Sequence, residues 1–364
     1  MDEISRNILP QKIKELEDEL AKTKYNKRTQ HAIGLLKAKI ALLKEKHEQK
    51  SKKGGPLYGF AVKKTGDATV VFFGYPSVGK STLLNRLTNA KSAVAGYAFT
   101  TVSVIPGLMD YNNTKIQLLD IPGIIAGAAT GSGRGREVLA IVRNADLLVI
   151  IVEALHTEQI NILKDELYRS GVRINQKPPQ VKITNTMQGG IVVDSTIKLS
   201  KLGRDTIRDI LREFRIMNGH VLIREDISTD QLIDVLTANC KYLPCIVVAN
   251  KSDLLSQKQH IKGCDLMISA KHDPSLEELR KLIFLRLELI RVFCKEAGKP
   301  ADMQVPLILK KGSNVEDVCL KLHRDFVPRF KIAKVWGKSA KFPGQQLGIN
   351  HVVQDMDIVE LHLH

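Results

Sequence analysis

Cysteine is scarce in this chain, and what there is forms no metal-binding or redox pair. Cys240, Cys245, Cys264, Cys294 and Cys319 include no C-x-x-C spacing and are odd in number. That argues against a disulfide scaffold or a zinc ribbon, and for reduced thiols packed inside a cytoplasmic protein. Long apolar runs are missing too. The strongest, "LLVIIVEAL" at 147–155, is far too short to span a bilayer and suits a fully buried strand, so no membrane span is expected. "MDEISRN" at the start begins acidic, with no apolar stretch behind it, so no secretory signal is expected. Acids are outnumbered: 55 Lys+Arg against 39 Asp+Glu leave a net charge of +16. Such an excess favours polyanionic partners, RNA or an anionic surface. Otherwise the composition is that of a globular protein, 43% hydrophobic and 26% charged over 364 residues, long enough for two or three domains with cores of their own.

Residues 9–48 read as two helices, with Ile13, Leu16 and Leu20 forming one apolar stripe and Ile33, Leu36, Ile40 and Leu43 another. From Lys22 to Lys53 there are eleven Lys/Arg and two acids, before "KKGGP" punctuates a linker. The expected N-terminal unit, 1–53, is therefore a basic helical hairpin. From residue 67 buried strands ("TVVFFG", "KIQLLD", "LLVIIV", "PCIVVAN") alternate with helical patterns, which predicts an α/β domain with a mostly parallel sheet and helices on both faces. The interval between the last two of those strands is too long for one crossover helix. Its own strand and helix patterns ("QVKITN", "GGIVVDSTIKLS", "GRDTIRDILREFRI", "STDQLIDVLTANC") predict a small inserted α/β unit at 172–240, splitting the main domain into 67–171 and 241–290. The remainder, 291–364, carries "VPLIL", a helix capped by Asn314, "IAKVW" and "DIVELHL", enough for a compact β-rich module.

"GYPSVGKST" follows the first strand and opens a helix, the context that G-x-x-x-x-G-K-[ST] requires. Gly74, Tyr75, Pro76, Ser77, Val78, Gly79, Lys80, Ser81 and Thr82 then form a loop whose backbone N–H groups curl around phosphate oxygens at a helix N-terminus. Lys80 would reach the β- and γ-phosphates and Ser81 would offer its hydroxyl to magnesium. The base is chosen elsewhere. Asn250, Lys251 and Asp253 of "NKSD" end a buried strand. An Asp253 carboxylate accepts only, so it suits the N1–H and amino group of guanine, whereas adenine would leave it unpaired. Asn250 ties neighbouring loops together, and the Lys251 stem can cover the ring face. Ser269, Ala270 and Lys271 of "SAK" follow, with the Ala270 N–H placed for guanine O6. Asp120-Ile121-Pro122-Gly123 fits D-x-x-G, reaching toward magnesium and the terminal phosphate. In "AFTT", Thr101 is favoured to complete the magnesium shell, with Thr100 as the alternative.

One residue expected of such an enzyme is missing. A Gln after D-x-x-G often orients the attacking water; here Ile124 stands there and cannot hydrogen-bond. Together with "NKRTQHAIGLLKAKIA", "IQLLDIPGIIAGAATGSGRGRE", "GVRINQKPP", "IDVLTANCKYLPC" and "AKVWGKSAKFPGQQLG", these motifs resemble the developmentally regulated GTP-binding protein (DRG) family of Obg-like GTPases. The resemblance implies a P-loop G domain, an insert like the second domain of ribosomal protein S5, and a C-terminal TGS domain of β-grasp fold. It also implies ribosome association, a DRG family regulatory protein as partner, and hydrolysis despite the hydrophobic residue, with potassium activation in some members. Potassium-dependent relatives often carry an Asn where this chain has Ser77. Glu153-Ala154 in place of Asp-Ala, and Glu137 in place of Gln, depart from the family pattern.

The expected activity is slow, Mg²⁺-dependent hydrolysis of GTP to GDP and phosphate, serving a translation-associated switch on ribosomes, with ribosomal RNA as the partner surface. Lys80, Thr101, Gly123 and Arg134 are the residues assigned to the chemistry. The alternative is a GTP-gated RNA- or ribosome-binding scaffold with negligible turnover. Arg134 and Arg136 of "GSGRGRE" lie near the expected phosphate end, as transition-state arginines or as contacts to a partner.

Overall fold

The computed structural model describes residues 2–24, 26, 29–52, 65–88, 105–121, 141–255, 261–271 and 273–364. In chain order come helices α1 (Asp2–Lys22) and α2 (Gln30–Lys52), strand β1 (Ala68–Phe73), helix α3 (Lys80–Leu87), and strands β2 (Ile105–Tyr111), β3 (Thr114–Asp120) and β4 (Leu147–Glu153). Helix α4 (Gln159–Arg169) leads to β5 (Val172–Ile174), β6 (Val181–Asn185), β7 (Ile191–Ser195), α5 (Arg204–Glu213), β8 (Gly219–Ile223), α6 (Thr229–Thr237) and β9 (Lys241–Leu243). The rest comprises β10 (Cys245–Asn250), β11 (Leu266–Met267), α7 (Asp273–Arg286), β12 (Leu289–Cys294), β13 (Leu307–Lys310), α8 (Val315–Leu322), β14 (Phe330–Trp336), β15 (Gln345–Leu347) and β16 (Ile358–Leu363). The chain divides into two compact units, Met1–Tyr58 with Gly171–Tyr242, and Gly59–Ser170 with Leu243–His364.

In the second unit a six-stranded sheet runs β11-β10-β4-β1-β3-β2, parallel throughout except for β2, which pairs antiparallel with β3. Strands β1 and β4 are apolar at nearly every position and buried along their length, as strands covered on both faces must be. Leu83, Leu84 and Leu87 of α3 and Leu276, Leu279 and Ile283 of α7 pack on Val70, Phe72, Leu118 and Val149. Helix α4 buries Ile160, Leu163 and Leu167 and packs on β4. Parallel order brings the C-terminal ends of β1, β3, β4 and β10 to one edge of the sheet, where ligands of open α/β sheets bind.

The same unit carries a five-stranded sheet in the order β13-β12-β16-β14-β15, with β12 parallel to β16 and the other pairs antiparallel. Val315, Val318 and Cys319 of α8 pack on Val292, Val335 and Val359, giving the β-grasp arrangement. Asn314 caps α8 through a reciprocal bond with Asp317, both N–H donations measuring 3.0 Å, as the sequence pattern predicts. The expectation placed three strands here; β12 and β15 add two. Their patterns are hard to see, since "LIRVFC" continues the apolar run of α7 and "QQL" is three residues long. Leu289 of β12 and Ile308 of β13 pack with the G-domain core rather than with α8. Lys310 pairs with Asp146 at 3.1 Å, and Asn113 Nδ2 donates to the Gln304 carbonyl at 3.0 Å.

In the first unit β6, β8 and β7 form a three-stranded sheet, β8 central, antiparallel to β6 and parallel to β7. Val193, Val221, Ile223, Ile207, Ile210 and Leu232 make its core, and Ala38 of α2 is buried among them. Gly34 lies where α2 crosses: a Cβ there would sit 3.3 Å from the Thr206 methyl and 3.6 Å from both Ile210 and Thr229. The hairpin's basic face is partly consumed at home, with Lys37 on Asp230 (2.8 Å), Lys39 on Glu213 (3.8 Å) and Lys44 on Glu17 (2.7 Å). Lys22, Lys24 and Lys46 are exposed. Arg173 forks onto the buried Asp234 carboxylate with two bonds of 2.7 Å.

Candidate nucleotide-binding site

Strand β1 ends at Phe73, and the chain must turn under the neighbouring strand. A Cβ on Gly74 would fall 2.2 Å from the Ile151 carbonyl oxygen, so the turn admits glycine alone. Gly79 sits at φ +94°, and a Cβ there would meet Asn250 Nδ2 at 2.4 Å. Ser77, also left-handed at φ 64°, is exposed with Pro76, whereas Val78 is buried. Helix α3 starts immediately after Gly79, aiming its unpaired N–H groups into the loop.

Lys80 is 6% exposed. Its Nζ donates to the Gly74 and Tyr75 carbonyls at 3.1 and 2.9 Å. Burial pulls the ammonium below its ordinary pKa, and the charge of Asp120 recovers part of that shift. Register pairs Asp120 with Phe72 across β3 and β1, which sets its carboxylate beside the loop. Oδ2 accepts from the Ser81 hydroxyl, while Oδ1 is buried with no hydrogen-bond partner among the described residues. Burial pushes the Asp120 carboxyl upward, against the Ser81 hydrogen bond and the Lys80 charge. An orphaned carboxylate oxygen next to a serine hydroxyl is oxygen-only chemistry that fits a hard divalent cation such as Mg²⁺.

At the end of β10 the Asn250 side chain, 1% exposed, bridges two loops. Its Nδ2 donates to the Val78 carbonyl at 2.8 Å, and its Oδ1 accepts from the Ala270 N–H at 3.1 Å. The Ala270 N–H is therefore engaged by Asn250, and a guanine O6 reaching it would share that donor. Ser269, 4% exposed, donates from Oγ to Asp253 Oδ1 at 2.7 Å, and its carbonyl accepts from Ser275 Oγ at 3.1 Å. Asp253 is exposed, at the start of a short 3-10 turn. Lys251 precedes it in the left-handed region (φ 61°) and sends Nζ to Glu153 Oε2 at 3.1 Å. Lys271, on the surface, donates its N–H to Ser269 Oγ at 3.4 Å.

The structure thus brings Lys80, Ser81 and Asp120 together beside the loop, and draws Asn250, Ala270, Ser269 and Asp253 into one hydrogen-bonded group reaching the loop at Val78. Thr100, Thr101, Gly123, Ile124, Arg134, Arg136 and Glu137 lie outside the described residues. Two participants escape a reading of motifs. Ser275 belongs to the next helix, and Glu153 registers only as a departure from Asp. The register of β4 with β10, which pairs Glu153 with Asn250, is the signal that would have exposed the second.

Known family models match the chain in three stretches, one boundary falling between β6 and β7. The family described as 50S ribosome-binding GTPase matches residues 69–186, the C-terminal region of that domain matches 188–289, and the TGS domain matches 290–363. An uncharacterized GTP-binding protein of Methanocaldococcus jannaschii is 48% identical, covering 97% of this chain and 92% of that protein. Developmentally-regulated GTP-binding protein 2 of Homo sapiens is 40% identical, over 96% of this chain and 98% of its own length. The chain belongs to the DRG family. Guanylate binding protein 128up of Drosophila melanogaster is 42% identical over the same shares, 96% and 98%. The DRG protein described here is thus a GTP-binding protein with a P-loop G domain and a C-terminal TGS domain. Among the described residues, no helix is long and apolar enough to cross a membrane.

Proposed function

We propose that this DRG protein hydrolyses GTP to GDP and phosphate slowly, as a switch acting on ribosomes in the cytoplasm, with a DRG family regulatory protein as partner. The observation that carries the reading is the group of Lys80, Ser81 and the half-partnered Asp120 at the mouth of a glycine-only turn. Lys80 leaves two backbone carbonyls to meet phosphate oxygens, exchanging neutral acceptors for charged ones. Ser81 and Asp120, with Thr101 or Thr100, would hold Mg²⁺, which when bound would neutralise phosphate charge. Gly123 lets the backbone approach the terminal phosphate. Arg134 is the candidate for charge stabilisation, and potassium, which some relatives use, would have to be held without an Asn at Ser77. Ile124 cannot orient water, so turnover stays slow without outside help.

Single-turnover hydrolysis with and without potassium tests the chemistry. Lys80→Ala should weaken nucleotide binding at least tenfold, since each charge-assisted bond contributes about 1.5–3 kcal/mol. Tight binding with no phosphate released would replace the enzyme with the GTP-gated scaffold. The ribosomal side rests on net charge, the TGS domain and the family description. Deleting the hairpin would uncover the core around Ala38, so charge reversal of Lys22, Lys24 and Lys46 is the cleaner probe. Co-sedimentation with ribosomes across a salt series should weaken for that variant and show a shallower salt slope; unchanged pelleting would remove the hairpin from the interface.

A further inference from the structure

We propose that Glu153 is the positioning residue for Lys251, fixing the lysine stem where it covers the face of a guanine base. This rests on the base-site reading above and goes one residue further. Strand β4 runs beside β10 in parallel register, so Glu153 and Asn250 end their strands side by side. The Ala154 N–H donates to the Asn250 carbonyl at 2.9 Å, closing that end of the ladder. Immediately after it the chain enters the left-handed region at Lys251, φ 61°, a conformation uncommon for a non-glycine residue. The ammonium then meets Glu153 Oε2 at 3.1 Å, with the two side chains 34% and 21% exposed.

Left alone, a lysine side chain samples many rotamers, and binding a base against it would require ordering that stem. A carboxylate on the adjacent strand removes the freedom in advance, so the apolar methylenes stand ready for the ring. It also neutralises the ammonium. Glu153 reaches the lysine with one more methylene than Asp would have, so Glu153→Asp tests how much of the pairing depends on that length.

The test is calorimetric binding of GDP and IDP to full-length protein carrying Glu153→Ala, Glu153→Gln, Glu153→Asp, Lys251→Ala and the Glu153/Lys251 double alanine. IDP lacks the amino group that Asp253 would read but keeps the same ring face. Glu153→Ala should weaken GDP and IDP by the same factor, about 1.5- to fivefold for a partly exposed ion pair. Glu153→Gln, which keeps an acceptor at the same reach, should lose less, and Glu153→Asp should fall between Gln and Ala. In the Lys251→Ala background, Glu153→Ala should add nothing. Thermal melts of each variant separate weakened binding from weakened folding. If Lys251→Ala weakens binding while Glu153→Ala and Glu153→Gln do not, or if the Glu153 effect persists without Lys251, the positioning role is wrong and the base site stands. If Lys251→Ala itself leaves affinity unchanged, the base-site reading falls and takes this inference with it.

Discussion

Asn250 donates from Nδ2 to the Val78 carbonyl at 2.8 Å, joining the last residue of one strand to the loop that follows another. Its Oδ1 meanwhile holds the Ala270 N–H at 3.1 Å. Replacing it with Ala strands both groups in a place water scarcely reaches, since Asn250 is 1% exposed. Each buried unpaired group costs about 1–3 kcal/mol. Asn250→Ala should therefore lower the melting temperature without nucleotide and weaken GDP and IDP binding together, because it loosens the loop as well as the proposed base site. A variant that melts normally and binds normally would show that the bridge does not organise the site.

Asp253 offers a different readout. It is exposed, with Ser269 Oγ on one oxygen at 2.7 Å, so its replacement should cost little stability. Asp253→Asn presents an amide donor that suits the C2 carbonyl of xanthine better than the amino group of guanine. Competition binding should show GTP affinity falling and XTP affinity rising. Retained preference for GTP would move base recognition away from this carboxylate.

In the TGS domain, Asp355 collects three donors from Arg291 of β12: the backbone N–H at 2.7 Å, Nε at 3.1 Å and Nη2 at 2.8 Å. The Arg291 hydrogen bonds hold the Asp355 carboxyl below its usual range despite partial burial. A carboxyl depressed on folding lends stability at pH above its unfolded value, near 3.9, and loses it as pH falls through the folded value. Asp355→Asn should thus melt earlier than the parent near neutral pH, and the gap should close as the solution is acidified below about pH 4. A gap that is constant with pH would mean the arginine bonds matter only as neutral contacts.

Gly34 predicts the behaviour of the hairpin. With the Thr206 methyl 3.3 Å from where a Cβ would stand, Ala can be absorbed by a small shift, whereas Leu must push α2 off the insert. Gly34→Leu should cost about 1–3 kcal/mol, the range for overpacking. Hydrogen exchange should quicken at β8 and α5 while β1 and β4 keep their protection. Uniform acceleration in both units would contradict a separate core around Ala38.

Much of this architecture was legible because it follows from local rules. Continuous apolar runs marked β1, β4 and β10, the glycine spacing marked the loop, and the Asn314 cap marked α8. What stayed hidden depends on partners far along the chain. Strand β2 begins Ile-Pro-Gly, a turn signal by composition, and holds its edge position because Gly107 passes so close to Thr88 that a Cβ would sit 2.4 Å from its methyl. Strand β8, "GHVLI", is flanked by loops and takes its central place from neighbours on both sides. The site followed the same rule: each motif was visible, but the Lys251–Glu153 pair and the capture of the Ala270 N–H by Asn250 required the register of strands.

The Asn250–Val78 bond spans 172 residues, and that separation sets a timetable. A ribosome making this chain releases the phosphate loop long before "NKSD", with the whole insert in between. Until β10 arrives, β4 lacks its neighbour and Lys251 does not exist to be held. On the proposed base reading, the nascent protein would acquire its preference for guanine only after the residues of the hairpin and the inserted unit have been made.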